Sequence, residues 1–190
     1  MSKTTMGESK MKTIDSFNDD YDFLSNFYLV CVEYEGLIYP STEHAYQAAK
    51  SLNPKARKTI RDAKNSAGVP DCGRAKKMGQ KLTLRKDWEY VKRTVMLDLL
   101  RKKFAQDGHG HKKHNLKSKL ISTGNAKLVE GNWWKDTYWG VCNGKGQNWL
   151  GRLLMTVREE LLEQKKRSVV LDKDNNYLSR EAVLGKIKEE

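Results

Sequence analysis

The sequence predicts one α+β domain in which helices outnumber short strands, and three observations carry that reading. The chain has 190 residues, room for one core of ordinary size but little for two. β-Forming residues flank Glu35-Gly36, a pair suited to a tight reversal, whereas apolar residues recur at three and four over residues 84–104 and 148–163, the period of helices. A hydrophobic fraction of 38%, with five Trp and eight Tyr, supplies a core although 32% of the residues are charged. No internal repeat or low-complexity tract interrupts this pattern.

Residues 1–13 are polar and aperiodic, and read as a loose tail before a fold that begins near Ile14. FYLVCVEYEGLIY, from Phe27 to Tyr39, places β-formers on both sides of Glu35-Gly36 and predicts a β-hairpin that Pro40 ends. Ser41 or Thr42 then caps a helix through EHAYQAAK, which puts Glu43 in the first turn and Gln47 on the same face. Residues 54–80 read as short helices joined at Gly68, Pro70, Gly73 and Gly79. From Leu84 to about Phe104 the spacing of Trp88, Val91, Val95, Leu99 and Leu100 predicts the longest helix. DGHGHKKH (107–114) reads as a loop. Residues 115–129 suggest a short helix, a Gly124-Asn125 turn and a brief strand in AKLVE. TYWGVC (137–142) reads as a strand, NGKGQ as a turn, and Asn148–Glu163 as an amphipathic helix. A strand-like SVVLD (168–172), a DKDNN turn and a short helix capped by Ser179 finish the chain.

No apolar run approaches the roughly 20 residues that span a bilayer, and MSKTTMGESKMKT lacks the apolar stretch of a signal peptide. A soluble, cytoplasmic protein is expected. Cys31, Cys72 and Cys142 lie far apart and form no CxxC pair, so reduced, packed thiols are expected rather than a disulfide framework or a thiolate zinc site. The net charge of +12 is concentrated: Lys50–Lys117 hold 20 Lys or Arg against 6 Asp or Glu, a local excess of +14. Such a belt attracts polyanions and phosphorylated small molecules. It serves equally as a solvated surface, since no arginine-rich or stacked-aromatic nucleic-acid motif accompanies it.

Several patterns carry possible chemistry. Gly140-Val-Cys-Asn-Gly144-Lys-Gly146 precedes a helix whose N-terminus suits phosphate, but it matches neither nucleotide fingerprint and reads more readily as a simple turn. His109, His111 and His114 are close in sequence but lie among Gly and Lys residues, and a solvated loop rather than a metal site is expected there. A cysteine nucleophile would need a positioned His, and His44 is the only one outside that loop. Glu43, Trp88 and Asp136 form the more informative set. Two carboxylates and an aromatic plate suit cleavage of a riboside, where a cation-like sugar, a departing base and an attacking water must all be managed. By spacing alone, Trp88 also reads as core and Asp136 as a loop carboxylate.

FLSNF (23–27), YPSTEHAYQAAK (39–50), LRKDWEYVKRTVM (84–96), LRKKF (100–104), AKLVE (126–130) and DTYWGVCNGKGQNWLGRLLMTVREEL (136–161) together resemble the NADAR family, which includes the YbiA-like N-glycosidases. The resemblance spans residues 14–164 and implies a compact, mainly helical α+β domain that hydrolyses N-ribosyl bonds without metal or organic cofactor. It maps catalytic roles onto Glu43, Trp88 and Asp136, and extends the site to Ser25, Asn26, Phe27, His44, Gln47, Trp139, Gly140 and Asn148. It also draws Gly144, Lys145 and Gly146 toward the substrate. The family's substrates fall into two groups: phosphorylated intermediates of riboflavin synthesis, and ADP-ribose attached to guanine bases of nucleic acid or related NAD-derived molecules. Two features depart from it: Trp149 stands where many relatives carry Arg, and residues 165–190 form an extension. A non-catalytic module that binds ADP-ribose or nucleic acid is the alternative, and it requires Glu43 or Asp136 to point away from the pocket.

Overall fold

In the computed structural model, residues 12–106 and 115–174 are described, with side chains through Ser168. Residues 1–11 of the expected N-terminal tail, the 107–114 loop with its three His, and the Ser179-capped helix fall outside them, while Thr13, placed in that tail, is paired in a strand. Strand β1 (Thr13–Ile14) is followed by a 3₁₀ helix (Asp19–Leu24) and the hairpin of β2 (Leu29–Tyr34) and β3 (Leu37–Ser41). Its turn residues Glu35 and Gly36 both have positive φ, 45° and 77°, which matches the right-handed twist of the strands. Alternation buries Val30, Val32 and Tyr34 on one face. Pro40 does not end the pairing, which reaches Ser41 opposite Leu29.

Helix α1 (Thr42–Ala49) starts where Ser41 Oγ accepts the His44 N–H at 3.2 Å, and all eight of its residues are buried. Asn53 and Asp71 cap α2 (Pro54–Arg61) and α3 (Cys72–Gly79) in the same way, with Pro54 at the position where a missing N–H costs nothing. Arg57 of α2 ties this layer to the hairpin, pairing with Glu35 and donating to the Ser51 carbonyl at 2.6 Å. Helix α4 runs Trp88–Phe104 rather than from Leu84, because Asp87 pairs with Arg85 at 2.7 Å and the Arg85 N–H bonds the Lys50 carbonyl. It buries Trp88, Met96, Leu99, Leu100 and Phe104.

Helix α5 (Leu116–Ser122) leads to β4 (Lys127–Leu128), which pairs in parallel with β1, so AKLVE contributes only a two-residue strand. TYWGVC forms no strand. The carbonyls of Thr137, Tyr138, Trp139 and Gly140 instead accept the N–H groups of Gln147, Trp149, Leu150 and Asn148, at the start of α6 (Trp149–Asp174). Those donors have no partner within their own helix, and they hold the 137–140 backbone away from any ladder. Isolated bridges, Gly131 with Val141 and Cys142 with Lys145, are what remain of the expected strand. SVVLD is likewise helical, lying inside α6, where the Ser168 hydroxyl donates back to the Gln164 carbonyl at 3.0 Å.

The chain divides into two compact units at Arg158. The first holds α1 to α5, both small sheets and the start of α6, an α+β arrangement that is mainly helical. In the second, the described part is the rest of α6, with Arg167 and Glu163 paired one turn apart at 3.6 Å. Among the described residues no helix is long and apolar enough to cross a membrane.

Lys103 is fully buried in α4 and its ammonium donates to the Ser25 carbonyl at 2.7 Å. Burial pushes it down from 10.5 to about 7, against the opposing pull of Asp22, Cys72 and Glu130. The folded state therefore releases this proton near pH 7 and the unfolded chain near 10.5, so stability from this group rises across that window and is absent below it. In urea unfolding, the wild type should gain on Lys103→Met between pH 7 and 10, by up to about 1.4 kcal/mol per pH unit. A difference constant with pH would contradict the assignment.

Candidate active site

A cavity of about 750 Å³ opens among α1, α3, α4, the 25–27 loop and the 130–139 segment, and Glu43, Trp88 and Asp136 all line it. A second cleft of about 810 Å³, beside residues 81–87, contains none of the three. Ser25, Asn26, Phe27, Gln47 and Trp139 also reach the cavity. The 25–27 loop is held from three sides. Lys103 bonds the Ser25 carbonyl at 2.7 Å, the Glu43 N–H bonds the Asn26 carbonyl at 3.0 Å, and the Cys72 thiol donates to the Phe27 carbonyl at 3.5 Å.

Glu43 owes its place to the cap at Ser41, which starts α1 one residue before it. Its Oε1 accepts from Gln47 Nε2 at 2.7 Å, the i,i+4 neighbour on the same face. Burial pushes this carboxyl up; the Gln47 bond and the ammoniums of Lys76 and Lys50 pull it down, and Asp136 pushes it up again. Asp136 sits in a turn of its own making. Its Oδ1 accepts the N–H groups of Tyr138 at 3.1 Å and Trp139 at 2.9 Å, and Asn132 brackets its backbone with bonds of 3.0 and 2.8 Å. One oxygen is thus fixed by the backbone, which orients the other.

Aromatic rings form a continuous wall. Tyr46 lies 5.2 Å from Trp88 and 5.4 Å from Trp139, and Trp139 lies 5.2 Å from Tyr138. These tilted and edge-on contacts favour the rings' quadrupoles and stiffen the wall. Three ammoniums accompany it: Lys92 lies 4.0 Å above the Tyr138 ring, Lys76 lies between Phe27 and Trp134, and Lys50 sits over Tyr46. Burial lowers Lys50, while Glu43 raises it. Such a surface offers planar stacking and phosphate recognition side by side.

Six sequence candidates are not on the cavity wall. His44 is buried and bonded to Ser41 Oγ at 2.8 Å and to the Ala63 carbonyl at 3.2 Å. Its ring lies 3.8 Å from Cys72 Sγ, but burial raises the thiol and lowers the imidazole, so the charged pair that would activate a cysteine is disfavoured. Gly144, Lys145 and Gly146 form the turn before α6, and the nearby N–H groups that would have held phosphate already bond the 137–140 carbonyls. Gly140 and Asn148 pack against Glu130: a Cβ at Gly140 would fall 2.3 Å from the Glu130 carbonyl oxygen, and Asn148 Oδ1 accepts the Glu130 N–H at 3.0 Å. At Trp149, the guanidiniums of Arg93 and Arg152 lie 4.4 and 5.2 Å from the indole.

Glu130 is the functional candidate that sequence reading missed. It lines the cavity, and its Oε2 is buried without a hydrogen-bond partner. The signal was a charged residue ending AKLVE, which reads as an ordinary strand end until the fold places it. Tyr46 and Lys76, on helices whose inward faces only packing defines, and Lys50, which follows α1, also line the cavity.

The NADAR domain family matches residues 14–162. The chain is 40% identical over 151 residues to N-glycosidase YbiA of Escherichia coli (strain K12), covering 79% of this chain and 88% of that protein. It is 35% identical over 147 residues to a riboflavin biosynthesis protein of Vibrio vulnificus, covering 77% of this chain and 37% of that one. The NMR structure of the E. coli protein YbiA superimposes with a TM-score of 0.67 at 39% identity, covering 85% of this chain and 92% of the other.

The Gln47–Glu43 pair depends on Gly79 of α3, where a Cβ would lie 2.0 Å from Gln47 Oε1 and 2.8 Å from Gln47 Cβ. Gly79→Ala should push α3 from α1 and cost about 1–3 kcal/mol in chemical denaturation. Unchanged stability would show that the two helices have slack at this contact.

Proposed function

The chain belongs to the NADAR domain family, and on that premise we propose that it is an N-glycosidase, a hydrolase that breaks the bond between a ribose C1′ and the nitrogen of a base or amine. The observation that carries the reading is that Glu43, Asp136 and Trp88 line one cavity. A non-catalytic binding module would need no such convergence of carboxylates.

In this reading the base stacks against the Trp88–Tyr46 wall, and Lys50, Lys76 and Lys92 take the phosphates. The ribose C1′ faces the carboxylates. As the C1′–N bond lengthens, positive charge spreads over C1′ and the ring oxygen, and a carboxylate fixed beforehand stabilises it without reorganising. Glu43 fills that role and directs water, its raised proton affinity bringing it toward the range of a useful general base. Asp136, oriented by two backbone N–H groups, holds the ribose.

The substrate is a phosphorylated riboside. Lys50, Lys76 and Lys92 belong to the +14 segment, so the charge excess reaches the cavity itself. Together with exposed Trp133 and half-exposed Trp134 at the wall, this supports ADP-ribose on a nucleic-acid guanine. The Vibrio relative's name supports the second substrate, a phosphorylated intermediate of riboflavin synthesis.

Glu43→Gln should lower kcat on the order of 10³-fold while shifting the melting temperature by no more than about 4 °C. Full activity in that variant would sink the mechanism. Binding of an ADP-ribosylated oligonucleotide should weaken about 10³-fold or more between 50 and 200 mM salt if about six phosphates are engaged, whereas a small riboside phosphate should show a shallow slope. If neither probe, nor NAD, nor ADP-ribose yields free base or amine, the binding-module reading replaces this one.

A further inference from the structure

We propose that Glu130 is a third catalytic carboxyl of the cavity and delivers the proton that the departing nitrogen needs; this rests on the N-glycosidase reading. Three carboxyls line the cavity, and their bonding separates them. Glu43 accepts from Gln47, and Asp136 accepts two backbone N–H groups. Glu130 lines the same cavity, and its Oε2 is sealed from solvent with no hydrogen-bond partner among the described residues. An ionised carboxylate with a buried, unpartnered oxygen is costly, so this group favours its protonated form.

The groups around it act in the same sense. Burial, then the charge of Asp136, raises the Glu130 carboxyl to about 7, with Glu43 adding to the rise and Lys76 of α3 and Lys103 of α4 only partly opposing it. A carboxyl still protonated near neutrality is what transfer to a leaving nitrogen requires.

The surroundings of Glu130 are built to hold it still. Its N–H bonds Asn148 Oδ1 at 3.0 Å, its carbonyl accepts the Val141 N–H at 2.8 Å, and Asn148 Nδ2 donates to the Leu128 carbonyl at 2.9 Å. Asn148 is buried and holds a φ of 54°, a strained value for a residue with a side chain. At Gly140 a Cβ would fall 2.3 Å from the Glu130 carbonyl oxygen and 3.0 Å from its Cγ. Gly140 and Asn148 are therefore positioning residues that act on the substrate through Glu130.

The step balances without a further reactant. The Glu130 O–H breaks as its proton moves to the departing nitrogen, which keeps the electron pair of the C1′–N bond. Water oxygen bonds to C1′ and gives a proton to the Glu43 carboxylate. Exchange with solvent then moves one proton from Glu43 back to Glu130.

The test follows free base or amine from the ADP-ribosylated oligonucleotide or the ribosylaminopyrimidine phosphate, using whichever the full chain turns over. Wild-type kcat should fall as pH rises through about 7. Glu130→Gln should lower kcat by about 10²- to 10⁴-fold, leave KM within a few-fold, and remove the alkaline fall from the residual rate. Asn148→Ala should lower kcat but keep that fall. A Glu130→Gln variant as fast as wild type overturns the inference; if the variant does not fold, a wild-type rate that is flat from about pH 6 to 9 overturns it instead. In either case a Glu43→Gln variant that is still slowed about 10³-fold leaves the N-glycosidase reading standing. Absence of cleavage of both probes by the wild type removes that reading itself.

Discussion

Every side chain of α1 is buried, and Thr42, Glu43, His44 and Gln47 among them are polar. A polar helix at the centre of a core is stable only where its neighbours supply partners, because an unpaired buried group costs about as much as several good contacts contribute. The hairpin, α2, α3 and α4 pack around it, and much of their detail meets that demand. Ser41 serves both the His44 backbone and its ring, the Ala63 carbonyl takes the far ring nitrogen, and Gly79 leaves room for Gln47 to reach Glu43. The cavity lies where this accounting stays incomplete, with Gln47 Oε1 and Asn26 Oδ1 buried and unpartnered beside Glu43.

The second organising element is the exchange between the 137–140 carbonyls and the first N–H groups of α6. It replaces a strand by a tight turn and places Asp136, Tyr138 and Trp139 on the cavity wall. The turn explains why Gly140, Gly146 and Gly151 are glycines: a Cβ at each would fall within 2.3 Å of a backbone oxygen. Residues that look from sequence like a phosphate loop are thus the scaffold of the carboxylates, and the cavity's ammoniums come instead from Lys50 after α1, Lys76 of α3 and Lys92 of α4.

Much of the fold was legible because its signals are local. The positive-φ pair at Glu35-Gly36, the Ser41 cap and the three-four spacing of α4 each depend on a few neighbouring residues. The errors came where distant partners decide. TYWGVC has the composition of a strand, but its carbonyls are claimed by α6; SVVLD has β-formers, but continues a helix already propagating. Glu130 was invisible as a site residue because strand ends often carry a solvated Glu. Only the fold brings Asn148 and Gly140, later in the chain, against its backbone and buries its Oε2.

By itself the sequence determined the hairpin and the order and kind of the main helices, and motif resemblance singled out Glu43, Trp88 and Asp136 as candidates. Tertiary structure alone decided that these three line one cavity, that His44 and the Gly144–Gly146 turn stand behind its wall, and that Glu130 joins it. The physical reason is range. Caps, turns and periodicity are interactions between near neighbours, whereas burial, desolvation of a carboxyl and the satisfaction of a backbone donor depend on atoms brought together from across the chain.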